Sequence, residues 1–163
     1  MQTLVTKDIR QSAGLLLIKG HKALVLKRSK RSGNGGTWGL PGGRVEHRES
    51  WYRAAQRESI EELKSVPAHG IVGTLSLHRA QRLYAIFACR SQKKVLKAWA
   101  PILNHEHDDW RWVSYRWMRD HRSQLHPVLR KLVATKAGRT WIQEMMTETT
   151  VDHALGGRRR TDR

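Results

Sequence analysis

Glu58, Glu61 and Glu62 lie in the stretch GGRVEHRESWYRAAQRESIEELKS, residues 42–65, which carries five Glu. The whole chain has only 14 Asp and Glu against 31 Lys and Arg. Residues at i, i+3 and i+4 share one face of a helix, a turn apart. Carboxylates so placed repel one another and weaken the helix, so something should offset the cost. A bound cation is the first candidate. Hard divalent ions such as Mg²⁺ take oxygen ligands, commonly a few carboxylates together with substrate phosphates. Such a site can clamp a polyphosphate and lower the pKa of a bound water, which are the needs of phosphoanhydride hydrolysis. A solvated acidic helix face has the same spacing, so these three residues alone leave both readings open.

The elements that must position them follow from pattern and punctuation. Residues 50–64 have strong helix formers and no Gly or Pro; Ser50 is the expected N-cap, and Lys64 suits the negative end of the helix dipole. Upstream, residues 11–19 and 23–27 are apolar runs about the turn KGHK, which predicts a hairpin of buried strands. SKRSGNGG, residues 29–36, is a basic Gly/Ser loop, and residues 37–43 (TWGLPGG) form a turn or short strand. Downstream, residues 71–77 and 83–89 are expected strands about the basic turn HRAQR, residues 91–94 a polar link, 104–109 a polar loop and 110–113 a short strand. Helices are expected near residues 113–121, from Pro127 to about 135, and near 138–148. Strands, a central helix, more strands and terminal helices imply a mixed sheet with helices packed on it.

At 163 residues the chain reads as one domain over residues 1–150, followed by a basic, Gly-led tail over 151–163 expected to be disordered. A single Cys, no signal-like succession at the start and no membrane-length apolar run point to a cytoplasmic protein without an internal disulfide. A formal charge of +17 admits two readings, a surface for nucleic acid or another polyanion and a merely soluble basic surface. No zinc finger, RNP aromatic pair or clear helix-turn-helix pattern is present.

The residues before the acidic face separate the two readings of it. Gly43, Glu49, Arg57, Glu58, Glu61 and Glu62 follow the spacing G-x5-E-x7-R-E-U-x-E-E-x-G-U, where U is a bulky aliphatic residue. This resembles the Nudix box of the Nudix (MutT-like) hydrolases. Six fixed residues at fixed spacing have a chance match on the order of one in 10⁵ at ordinary residue usage. The lead-in from Trp38 to Gly43 is similar too, and a weaker resemblance runs from about residue 11 to 115. Ser59, Lys64 and Ser65 depart from the pattern at packing and helix-exit positions. Losing Gly at 64 removes the usual left-handed cap, so the helix is expected to exit differently.

The resemblance implies an α/β/α sandwich with a mixed sheet and a loop–helix–loop catalytic motif. It implies that Glu58, Glu61, Glu62 and the Gly42 carbonyl bind Mg²⁺, with Mn²⁺ as an alternative, and that Arg57 and Glu49 pair to brace the helix. The family often draws a further Glu from a loop before a Trp-bearing strand. NHEHDDWRWVSY, residues 104–115, looks like that segment. Glu106 is favoured as general base, with Asp108 and Asp109 as alternatives. A transition-metal site through His105 and His107 is a weaker reading of the same stretch, since no matching ligand set accompanies it.

The implied substrate is a nucleoside diphosphate linked to another group, a small nucleotide derivative being favoured. Trp38, Arg28 and Arg44 are the substrate-binding candidates, with Lys27, Lys30 and Arg31 nearby; Trp38 could stack on a base or equally be core, and Tyr84 and Phe87 read as core. Hydrolysis at RNA 5′ ends is the alternative, with Lys93, Lys94, Lys97 and the tail tracking the polyanion. A non-catalytic nucleotide- or nucleic-acid-binding module is the other. No membrane partner is expected, and the oligomeric state is left open.

Overall fold

A computed structural model describes residues 9–147. The tail expected over residues 151–163 lies outside the described residues. Strands β1 (Arg10–Lys19) and β2 (Lys22–Arg28) form the expected hairpin. Two short strands follow, β3 (Trp38–Gly39) and β4 (Gly42–Arg44), then helix α1 (Trp51–Leu63). The second half has β5 (Gly70–Arg79), β6 (Arg82–Arg90), α2 (Lys93–Lys97), β7 (His107–Ser114), α3 (Tyr115–Asp120), α4 (Pro127–Ala134) and α5 (Lys136–Met146).

The sheet runs β3-β2-β1-β6-β5, with β4 added to β1 and β7 to β2. β1 and β6 are parallel and the other pairs antiparallel, so the sheet is mixed. β1 is apolar and buried from Ala13 to Ile18, because both of its faces are covered there. Leu15 and Leu17 join Ala54, Ala55 and Leu63 of α1 in one core. Leu16 and Ile18, on the opposite face by the two-residue alternation of a strand, join Met118, Leu129, Leu132, Ile142 and Met146 of the other helices. The result is the expected α/β/α sandwich.

Three boundaries differ from the sequence reading. Residues 91–94 are not simply a link, because α2 starts at Lys93 and buries Leu96; five residues are too few to show helical periodicity. β7 begins at His107 rather than Trp110, since pairing with β2 carries through the polar residues. The basic segment HRAQR is mostly strand. β5 and β6 run on to pair Arg79 with Arg82, leaving only Ala80 and Gln81 as the turn.

Candidate active site

Ser50 caps α1 as expected, its Oγ accepting from the Arg53 N–H. At the far end Lys64 takes the exit that Gly occupies in the box pattern. Its N–H donates to the Ile60 carbonyl at 2.9 Å, with φ of 74°. The helix therefore exits through positive φ after all, with a side chain where glycine has no steric cost.

Between these ends Arg57 organises the carboxylates. Its Nε donates to Glu49 Oε2 at 2.8 Å and its Nη2 to Glu49 Oε1 at 3.0 Å, a two-point fork. Nη2 also donates to the Arg44 carbonyl at 3.0 Å, which ties α1 to the loop before it. Nη1 donates to Glu58 at 2.9 Å and to Glu61 at 3.4 Å. Glu49 in turn accepts from the Glu46 N–H, and the Arg57 bond is the main reason its carboxyl is held below the usual range.

Glu62 is set differently. It is 3% exposed, although it is an acid. Oε1 accepts a long bond from the Gly42 N–H at 3.4 Å, and Oε2 has no hydrogen-bond partner. His107 Nε2 stands 3.7 Å from that oxygen. Burial, reinforced by the charges of Glu106 and Glu58, pushes the Glu62 carboxyl up to about 9. Burial also raises Glu58, against the pull of Arg57. The close approach of backbone to these acids depends on Gly43: a Cβ there would stand 2.5 Å from Glu58 Cδ.

Glu58, Glu62 and Glu106 line one cleft of about 730 Å³, where the charge of Glu106 acts on both of the others. The loop bearing Glu106 is docked on the end of α1, with Ile102 N–H donating to the Leu63 carbonyl and Asn104 N–H to the Glu62 carbonyl. The Glu106 carbonyl accepts from Ser29 N–H at 2.8 Å. Asp108 lines a smaller neighbouring cavity with Lys30, Arg31 and His105, and Asp109 accepts from Trp110 N–H away from the cleft. Of the three acids in that segment, Glu106 is the one brought to Glu58 and Glu62. Glu61 is more exposed, at 57% of its side chain, beside Arg57.

His105 and His107 part company. His105 lines the smaller cavity, and buried His107 faces Glu62 on the main cleft. Burial and nearby Arg28 lower the His107 imidazole to about 4, so it is neutral near neutrality. Among the described residues no three His, Cys, Asp or Glu side chains are already gathered to hold an ion. Glu58 and Glu61 are engaged by Arg57 instead. The donor chemistry still fits a hard cation: carboxylate oxygens one turn apart, one of them buried with an unmatched oxygen.

Arg28 and Arg44 line the cleft as expected. Trp38 does not fit its substrate-binding role. It is 5% exposed, packs edge-to-face on Trp117 at 6.0 Å, and has Lys27 and Arg111 over its ring, so no open face is left for a base. A wide aromatic ring beside a glycine-rich turn reads the same in sequence whether it faces core or solvent. Sequence reasoning also missed cleft residues that only the fold gathers: Arg10, Arg79, Arg82, His126 and Lys131; Tyr84 packs against the core as expected and also lines the cleft.

A family model described as NUDIX domain matches residues 8–135. No curated protein matches the sequence. Among solved structures, the MutT protein from Methanosarcina mazei Go1 is similar at 24% identity and TM-score 0.61, over 87% of this chain and 95% of that one. A MutT NUDIX hydrolase from Burkholderia pseudomallei is 23% identical, with TM-score 0.55, over 85% and 98%. A C. elegans Ap4A hydrolase is 18% identical, with TM-score 0.58, over 91% and 99%. At these identities the structures speak for the fold, and the family match speaks for the chemistry. With a family model matched over residues 8–135, the chain belongs to the Nudix hydrolase family, enzymes that hydrolyse pyrophosphate bonds.

Proposed function

We propose that this cleft hydrolyses the phosphoanhydride bond of a nucleoside diphosphate linked to another group, in the presence of Mg²⁺ or Mn²⁺. The observation that carries the reading is Glu62, a buried carboxyl with an unmatched oxygen, on a cleft shared with Glu58 and Glu106. Glu58, Glu61, Glu62 and the Gly42 carbonyl would hold the ion. When bound, a divalent cation neutralises phosphate charge and acidifies water. The protein's own part is positional and acid–base. Arg57 and Glu49 fix the helix that carries the ligands. Arg28 and Arg44 draw the diphosphate into the cleft and stabilise charge on its oxygens. The Glu106 carboxylate takes the proton from the attacking water as the new P–O bond forms and the bridging oxygen leaves with the other half of the substrate.

The test is phosphate release, with Mg²⁺ and with EDTA, from nucleoside triphosphates, ADP-ribose, nucleotide sugars, dinucleoside polyphosphates and 5′-triphosphate RNA. Pyrophosphatase and phosphatase reveal each product. Metal-dependent turnover that Glu62→Gln abolishes is expected. Silence across the panel from folded protein would overturn hydrolysis in favour of a nucleotide-binding module on the same fold.

A further inference from the structure

The acids of this cleft are concentrated at one end, and three arginines meet along the other. Arg10 and Arg82 are register partners on the parallel strands β1 and β6, and Arg82 and Arg79 are register partners across the β5–β6 turn. All three line the same cleft as Glu58 and Glu62. None of the three is ion-paired to a carboxylate among the described residues. Lys131 of α4 adds a fourth cation and donates to the His78 carbonyl, which fastens that helix to the arginine hairpin. Like charges directly opposed on neighbouring strands destabilise a sheet. The cluster repeats at the basic end the problem the glutamates pose at the acidic end, and an anion would relieve it.

β1 gives the separation. Gly14 pairs with Gly42, beside Glu62, and Arg10 lies four residues earlier on the same strand. At about 3.3 Å per residue that is roughly 13 Å. The arginines thus start from backbone well removed from the carboxylates, nearer to a phosphate carried further along the substrate than to the bond held at the glutamates.

We propose that Arg10, Arg79 and Arg82, assisted by Lys131, form a second phosphate subsite. It selects substrates that carry a further phosphate remote from the bond being cleaved, over nucleotide sugars and other compounds whose far half is neutral. This rests on the hydrolytic reading above and narrows it. The remote phosphate could be an ester, as in an oligonucleotide 5′ end, or part of a longer anhydride chain; both present the same oxygens to a guanidinium fork.

Matched substrates separate these sources. ATP would be compared with adenosine 3′-phosphate 5′-triphosphate, for the ester, and with adenosine 5′-tetraphosphate, for the anhydride. In the Arg79→Ala/Arg82→Ala variant, KM for the extended member of one pair should rise about tenfold more than KM for ATP, as loss of a charge-assisted contact implies. The pair that responds names the source. Arg79→Lys/Arg82→Lys should recover much of the difference. Equal effects on all three substrates, or no effect, would overturn the subsite. A readout without turnover keeps the two readings apart: calorimetric titration of the full chain with inorganic tripolyphosphate in EDTA. Binding weakened about tenfold by the Ala pair and retained by the Lys pair supports the subsite even if no substrate is hydrolysed. Binding that the Ala pair leaves unchanged, or no binding to the wild-type chain, refutes it even if hydrolysis is established.

Discussion

Arg57 grips both oxygens of Glu49, at 2.8 and 3.0 Å, from eight residues further along the chain. The same guanidinium holds Glu58 and the Arg44 carbonyl. One side chain thus fixes the loop, the helix and a ligand candidate together. Lysine keeps the charge but offers no planar fork. Arg57→Lys and Glu49→Gln should each lower kcat/KM by roughly 10–100-fold, the range for groups that orient metal ligands. The loss should appear as a higher Mg²⁺ requirement, measured by metal titration of the rate. Wild-type metal dependence in both variants would remove the brace from the mechanism.

Glu106 should behave unlike its acidic neighbours. Glu106→Gln should reduce kcat by roughly 10²–10⁴-fold, as loss of a general base does. Asp109→Asn, whose carboxylate accepts from the neighbouring Trp110 N–H away from the cleft, should stay near wild type. Steady-state rates of both variants and of Asp108→Asn decide the assignment.

Lys64 holds φ of 74° at the end of α1. A residue with a Cβ is disfavoured there, on the order of 1 kcal/mol. Lys64→Gly should raise the unfolding free energy by about that amount, read as a higher urea midpoint at unchanged slope. Lys64→Val should lower it.

In the metal-free protein the contribution of Glu62 to stability should be lost as pH rises. Glu62 is raised from 4.5 to about 9 in the folded state. Below pH 4.5 both folded and unfolded forms are protonated and the contribution is complete. Between 4.5 and 9 the unfolded chain gives up the proton first, so stability falls across that window. His126, lowered to about 4 by burial and by Arg28, Arg79 and Arg130, acts in the opposite sense. Its contribution is present above pH 6.5 and is lost as pH falls through 4. Urea midpoints in EDTA should therefore flatten on the alkaline side in Glu62→Gln. They should flatten on the acid side in His126→Asn, which can still cap α4 as His126 does through Val128 N–H.

Trp38→Ala should be a stability variant. Removing a buried Trp costs about 3–5 kcal/mol. Among molecules still folded, KM should be close to wild type. A selective rise in KM without destabilisation would return Trp38 to the cleft.

What the sequence determined is what lies close along the chain. Ser50, Arg57, Glu58, Glu61 and Glu62 belong to one helix and its cap, and helical geometry fixes their relation whatever surrounds them. The same local rule gave the β1–β2 hairpin and the Pro-started α4. Local rules stopped short where neighbours supply the order. α2 was too brief to leave a period, and the strands at HRAQR and from His107 persist because a partner strand carries them.

The tertiary structure alone decided which distant residues share a cleft. Glu106 meets Glu58 and Glu62 because its loop docks on the end of α1, more than forty residues after that helix. Glu62 is buried because Gly42 brings the backbone against it, and no spacing rule predicts burial for an acid. Arg10 reaches Arg82 only through the parallel register of β1 and β6. A shift of one residue in that register would turn the side chains to the opposite face of the sheet. Register depends on the packing of both sheet faces at once, and that information is spread over the whole chain rather than held in any one motif.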